Sequence, residues 1–221
     1  RSNEVAMLDL YKLEVKIAKV DISGMILNMN ILETIDGGVR GSFIVKDNIN
    51  FYDTFIGHIQ PEIRVKIRYI GTSCFNSFIG DGVSDMKITK LGKEYIIHFI
   101  SWPTMNMSIN QICQVYNGTS DKILTKIWLE TMGRNLPLSI DSKAVTKGKY
   151  VVPNINSAKA IRNIVDNAYD EHYSAFCLYQ RLWEGGITRF QSLYDMDKNS
   201  TISKVFSSLV ILNCFKSLRE D

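Results

Sequence analysis

A chain of 221 residues with 45% apolar and 22% charged side chains can form one large or two small domains with buried cores, which excludes disorder and collagen-like repeats. Its net charge of +3, with Lys and Arg mixed among Asp and Glu, is too small for a protein that binds nucleic acid by releasing many counterions. The longest late apolar stretch, residues 205–214, falls short of the roughly 20 residues that a membrane span needs.

Residues 11–17 alternate, with Tyr11, Leu13, Val15 and Ile17 on one face and Lys12, Glu14 and Lys16 on the other, as a half-buried strand requires. Met25, Leu27, Met29 and Ile31 repeat the pattern. Asp36-Gly37-Gly38 supplies a tight turn, residues 39–45 return as a third strand, and the three together predict a meander. In residues 62–69, Ile63, Val65, Ile67 and Tyr69 alternate with Glu62, Arg64, Lys66 and Arg68, giving one apolar and one largely basic face. Strands are predicted over 75–83, 86–91 and 94–100, with Gly80-Asp81-Gly82 as a turn or bulge. Such spacing implies an antiparallel barrel or sandwich over the first hundred residues.

Composition changes at Trp102-Pro103. Thr119-Ser120-Asp121 predicts a capped helix from about 121 to 132, stopped by Gly133. Tyr150-Val151-Val152-Pro153 is an extended lead-in to a second helix capped by Ser157. Its stripe is Ile161, Ile164, Val165 and Ala168, and its outer face carries Lys159, Arg162, Asp166 and Asp170. Two aromatic strands, 174–179 and 188–193, then turn at Glu184-Gly185-Gly186 as a hairpin. The chain opens on Arg1, so it is expected to be trimmed or to start inside a longer product.

No pattern in the chain supports catalysis. His58, His98 and His172 share no metal-ligand spacing, and Asp166 and Asp170 fall on the polar helix face, where solvation explains them. The glycine-rich turn lacks a P-loop lysine, and no serine occupies a nucleophile elbow. Cys74, Cys113, Cys177 and Cys214 stand far apart among apolar neighbours, without a CxxC pair or a secretory signal, and are expected to be buried free thiols.

Three stretches carry a resemblance. They are Gly38-Val39-Arg40-Gly41-Ser42-Phe43-Ile44-Val45-Lys46-Asp47, the Tyr150-Val151-Val152-Pro153 lead-in, and Phe176-Cys177-Leu178-Tyr179-Gln180 facing Phe190-Gln191-Ser192-Leu193-Tyr194-Asp195-Met196. In order and spacing they resemble the baseplate hub proteins of contractile-tailed, T-even-type bacteriophages, relatives of the type VI secretion spike hubs. The resemblance implies an α+β, mainly β fold: a tail-tube-like antiparallel β-barrel in residues 1–103, then a helix-containing α+β region, 104–221, leading into part of a second barrel. It implies a homotrimer whose pseudo-sixfold ring adapts a hexameric tail tube to a trimeric central spike. Tube, spike and other baseplate proteins would be the partners, and DNA passage through the lumen is compatible with such a ring.

The resemblance further implies a virion component of the tail baseplate, assembled in the host cytoplasm, with no enzymatic activity and no cofactor. Hubs of this kind run longer, so the chain is expected to hold one nearly complete barrel and the start of another. Interface candidates are Asp36, Gly38 and Arg40 at the turn, and Glu62, Arg64, Lys66 and Arg68 on the basic strand. One alternative is a tube-initiating or distal tail protein, with six copies per ring. Another is a β-barrel nucleic-acid binder that stacks bases on Tyr69 and Phe75. A cell-wall hydrolase is third.

Overall fold

Alternating side chains build strands where the sequence predicts them, but not always beside the expected neighbour. The computed structural model describes residues 11–34, 38–56, 61–69 and 72–198, with the side chains at 11, 12, 67–69, 72–74 and 183 outside that description. His58, Cys214 and the 205–214 run therefore lie outside the described residues, as do the first two residues of the Asp36-Gly37-Gly38 turn.

The strands β1 (Tyr11–Ile17), β2 (Val20–Asp21), β3 (Ile26–Leu32), β4 (Arg40–Asp47), β5 (Glu62–Tyr69), β6 (Thr72–Thr89) and β7 (Gly92–Ser101) form one sheet. Its order is β2-β1-β5-β6-β7-β4-β3, antiparallel throughout and curled into a half-barrel. The fold class is α+β, mainly β.

Of the predicted meander only the second half forms: β3 pairs antiparallel with β4, but β1 does not pair with β3. After Ile17 the chain reverses through Ala18 and Lys19, both at positive φ (48° and 71°), into the short β2. β1 instead pairs along its whole length with β5, with Val15 opposite Val65 and Ile17 opposite Ile63. All four of these side chains are fully buried on the inner face. The burial of two complete apolar faces decides the pairing, and β1 and β3 end near opposite edges of the sheet. A 3-10 turn, Ser23–Met25, packs between β1 and β4, with the Val15 amide donating to the Ser23 hydroxyl at 2.8 Å.

The strands predicted at 75–83 and 86–91 are a single strand of 18 residues, bent by bulges between Gly80 and Gly82 and between Ser84 and Lys87. The inner face holds Phe43, Phe78 and Phe99, with Phe43 and Phe99 stacked 4.5 Å apart. Gly41 is required there: a Cβ would stand 2.3 Å from the Asn30 carbonyl oxygen and 2.5 Å from the Phe99 ring.

Residues 102–198 add α1 (Trp102–Ile109), β8 (Gln111–Thr119), α2 (Ser120–Met132), β9 (Leu138–Ile140), β10 (Lys147–Asn156), α3 (Ser157–Asp166), β11 (Phe176–Gln180), β12 (Thr188–Ser192) and α4 (Leu193–Lys198). β8 and β10 make a two-stranded ribbon. A three-stranded sheet runs β11-β12-β9, with β9 parallel to β12. Trp128, Ile161, Ile164, Phe176 and Phe190 belong to a second core built between the helices and these strands.

Three local predictions need correction. The cap of α3 is Asn156, whose side chain accepts from the Lys159 amide at 2.9 Å, whereas Ser157 is fully buried and donates to the Met107 carbonyl. Asp170 is not on an outer helix face. The helix has ended by then, and the buried carboxylate accepts from the amides of His172 and Ser174. Cys113 is exposed, because it lies on the face of the β8–β10 ribbon opposite buried Ile112, and Cys177 is half-buried.

Candidate functional site

The outer face of the half-barrel carries most of the residues nominated from the sequence. Directly paired residues share a face, so one row crosses four strands as Glu62, Ile79, Ile100 and Arg40. Glu62 and Arg40 thus stand on the same surface, three strand spacings or roughly 14 Å apart. The next rows read Lys16–Arg64–Ser77 and Glu14–Lys66–Phe75. The Arg68 side chain lies outside the description.

This surface is less basic than β5 alone suggests. Glu62 accepts from Arg64 Nε at 3.1 Å and from the Ser77 hydroxyl at 2.8 Å, and these bonds hold its carboxyl below the usual glutamate range. Glu14 stands opposite Lys66 and two residues from Lys16, and Glu62 two residues from Arg64, so these three cations each have an acid close by. Exposed pairs of this kind contribute little stability, at most about 1 kcal/mol each. They fix a pattern of charge that a complementary surface can match. Phe75 interrupts the pattern: it is 55% exposed and paired with Lys66.

Gly38 belongs to a different place. A Cβ on it would meet the Thr104 hydroxyl at 2.0 Å and Gln180 Oε1 at 3.0 Å, so it sits where β4, α1 and β11 converge. Around it the hairpin is fastened to the first sheet. Leu182, in the 3-10 turn between β11 and β12, is buried in the first core. Its carbonyl accepts from Asn76 Nδ2 at 2.7 Å, its amide donates to the Glu33 carboxylate, and the Val39 amide donates to Gln180 Oε1 at 3.4 Å. The sequence shows this segment only as a turn, and the apolar pair Leu182-Trp183 between Arg181 and Glu184 is the one signal for the anchor.

Burial raises the Glu33 carboxyl above its ordinary value, opposed by the Leu182 amide and the Arg181 charge. A carboxyl whose folded value is raised costs stability as pH climbs past its unfolded value. Glu33→Gln keeps an acceptor for the Leu182 amide without the charge. Its stability relative to the parent is therefore expected to rise between about pH 4 and about pH 7. Urea midpoints at the two pH values check this, and a pH-independent difference contradicts it.

Among the described residues, no three His, Cys, Asp or Glu side chains group to hold a metal, and no helix is long and apolar enough to cross a membrane.

No protein-family model matches the sequence, and no curated protein matches it. Solved structures do. The 43 kDa tail protein of prophage MuSo2 from Shewanella oneidensis has a TM-score of 0.59 at 10% identity, covering 82% of this chain and 53% of that one. A tail protein from Neisseria meningitidis MC58 has a TM-score of 0.53 at 10% identity, covering 80% and 51%. The E. coli c3393 protein is a type VI secretion component with structural similarity to the T4 bacteriophage tail proteins gp27 and gp5. It has a TM-score of 0.53 at 12% identity, covering 80% and 48%. The chain spans about half the length of each. Its fold, through the half-barrel and into the helices and hairpin beyond, is the one shared by these phage tail proteins and this type VI secretion component.

Proposed function

We propose that the chain is a structural, non-enzymatic subunit of a phage-type tail, serving as the baseplate hub. In this reading residues 1–103 form the first tube-like domain and 104–221 lead into a second. Three copies close a pseudo-sixfold ring that joins a hexameric tube to a trimeric spike in the virion baseplate, and the other baseplate proteins and passing DNA are its further partners. The observation that carries it is the likeness to a prophage tail protein and a second tail protein over four-fifths of the chain.

The sheet's physical character agrees with assembly. β2 and β3 are edge strands, and ring formation is a symmetric way to cover such edges. The patterned rows around Glu62, Arg64, Lys66 and Arg40 supply a surface that neighbours could read, and Arg68, Asp36 and Gly38 would add further contacts. The test is the solution mass of the full chain together with class averages of the particle. Three chains in a ring are expected. Six chains move the assignment to a tube or distal tail protein, and a chain that stays single at tens of micromolar defeats both.

A second reading rests on exposed Phe75 beside Lys66, a geometry that would stack a base of single-stranded nucleic acid. It requires binding of an oligothymidine that weakens steeply with salt and is lost in Phe75→Ala. Glu14 and Glu62 on the same rows oppose it.

A further inference from the structure

β11 is the outer strand of its sheet, and its free side faces a groove of about 300 Å³ whose other lining includes Ala158, Ile161 and Val165 of α3 and Met107 of α1. The Leu193 amide donates to the Ala175 carbonyl, which makes 175 and 193 a hydrogen-bonded pair. Alternation along an antiparallel ladder then points the N–H and C=O groups of Cys177 and Tyr179 at β12 and those of Phe176 and Leu178 at the groove. β12 has the matching phase, since its Thr188 amide and Phe190 carbonyl bond on the β9 side. Among the described residues nothing bonds to the main-chain groups of Phe176 and Leu178, although Phe176 is only 5% exposed. Backbone groups shut away from water without a partner carry a cost close to that of a lost hydrogen bond, so an occupant that pairs them is favoured.

The groove's geometry sets the chemistry of that occupant. Donor and acceptor sets on alternate residues recur at roughly 7 Å along a strand. An extended peptide repeats its own N–H and C=O groups at the same spacing, and a hydrocarbon chain or a flat ring does not. Paired residues share a sheet face, so peptide residues opposite Phe176 and Leu178 project with them toward Ile161 and Val165, on the side of the second core. Those two positions call for aliphatic side chains. Arg162 and Asp166 at the lip pair at 3.6 Å, so the lip carries no net charge and suits an uncharged segment. A strand seated beside β11 has α3 along its far flank and cannot keep a sheet neighbour of its own. The described edge strands β2, β3, β8, β9 and β10 each have such a neighbour, which excludes those of a second copy.

We propose that this groove is a binding site for a short extended segment of a separate protein, uncharged and aliphatic at positions i and i+2, which pairs with β11 as an added strand. Main-chain bonds to Phe176 and Leu178 supply the affinity, and the apolar wall of α3 selects the two side chains. The volume sits at the low end of ligand sites, which run roughly from 300 to 1,000 Å³, and limits the bound segment to a few residues. The assignment is independent of the number of chains in any ring.

Hydrogen exchange of the full chain with synthetic pentapeptides tests this. In the chain alone the amides of Phe176 and Leu178 are expected to exchange faster than those of Cys177 and Tyr179, which β12 holds. Acetyl-Gly-Val-Thr-Val-Gly-amide at about 1 mM is expected to slow Phe176 and Leu178 at least about tenfold, the protection given by a ligand at roughly ten times its Kd. The amides of Val15 and Val65 in the first sheet are expected not to change. The same peptide with both valine nitrogens methylated, and the corresponding Gly-Lys-Thr-Lys-Gly peptide, are expected to give no protection. If Phe176 and Leu178 are as protected as their neighbours in the chain alone, the groove is already filled and the proposal is overturned. A valine peptide that slows neither amide overturns it as well. So does equal protection by the methylated or the lysine form, because main-chain pairing or the apolar slot is then not what binds.

Discussion

Replacing Asp47 by alanine is expected to lower the unfolding free energy by about 3–5 kcal/mol, read as a lower urea midpoint at unchanged slope. The carboxylate is 1% exposed and accepts from the amides of Ile49, Phe51 and Tyr52 at 3.1, 2.9 and 2.8 Å, and from the Tyr95 hydroxyl at 3.3 Å. It takes up the donors left when β4 ends and the chain turns into the π-helical segment Tyr52–Ile56, which carries buried Ile56 against the first core. Alanine strands the buried Phe51 amide and Tyr95 hydroxyl away from water and unmakes the part-buried bonds of Ile49 and Tyr52, and each stranded group is costly. Asparagine keeps one acceptor oxygen and should lose less, roughly 1–2 kcal/mol. An alanine variant within about 0.5 kcal/mol of the parent would mean that water satisfies the turn and that the carboxylate is dispensable.

Asp47 also explains what the sequence could and could not reveal. The stretch from Gly38 to Asp47 reads as a turn followed by a strand, and it folds so. Its hidden content is long-range: Gly41 is small because Phe99 crosses it, and Asp47 is acidic because three amides converge on it. Period-two alternation located β1, β3, β4 and β5 to within a residue or two, since one face of each is buried. Pairing was not legible, because β1 could satisfy its apolar face against any strand of the same period. Choosing β5 depends on contacts some fifty positions away.

β8 is not legible in the sequence for a related reason. Its outer face is uncovered, so Val115 is 46% exposed while only Ile112 and Tyr116 are buried, and the alternation blurs. α1 is hidden because Pro103 reads as a break, although proline is well suited to a helix's first turn. Of the nominated surface, Glu62, Arg64, Lys66 and Arg40 do share one face. Gly38 does not, because its value lies in close packing against Thr104 and Gln180.

The second large effect is expected at Leu182, where Leu182→Ala should cost about 2–4 kcal/mol. The residue is 4% exposed, and although it sits in the turn between β11 and β12 it packs into the core of the half-barrel. Truncation leaves a cavity in that core and loosens the bonds from Asn76 and to Glu33, which hold the hairpin against the first sheet. Loss should therefore appear in two places at once: a lower urea midpoint, and faster amide exchange in both the first sheet and the β11–β12 hairpin. Ile88→Ala serves as the contrast, since Ile88 is 84% exposed at the β6–β7 turn and its removal should change stability by less than about 0.5 kcal/mol. If Leu182→Ala behaves like Ile88→Ala, the two cores are not joined through this side chain. If exchange rises only in the hairpin, the leucine anchors the hairpin without supporting the half-barrel. The expected result is coupled loss, because one buried side chain completes the apolar interior of one unit from the backbone of the other.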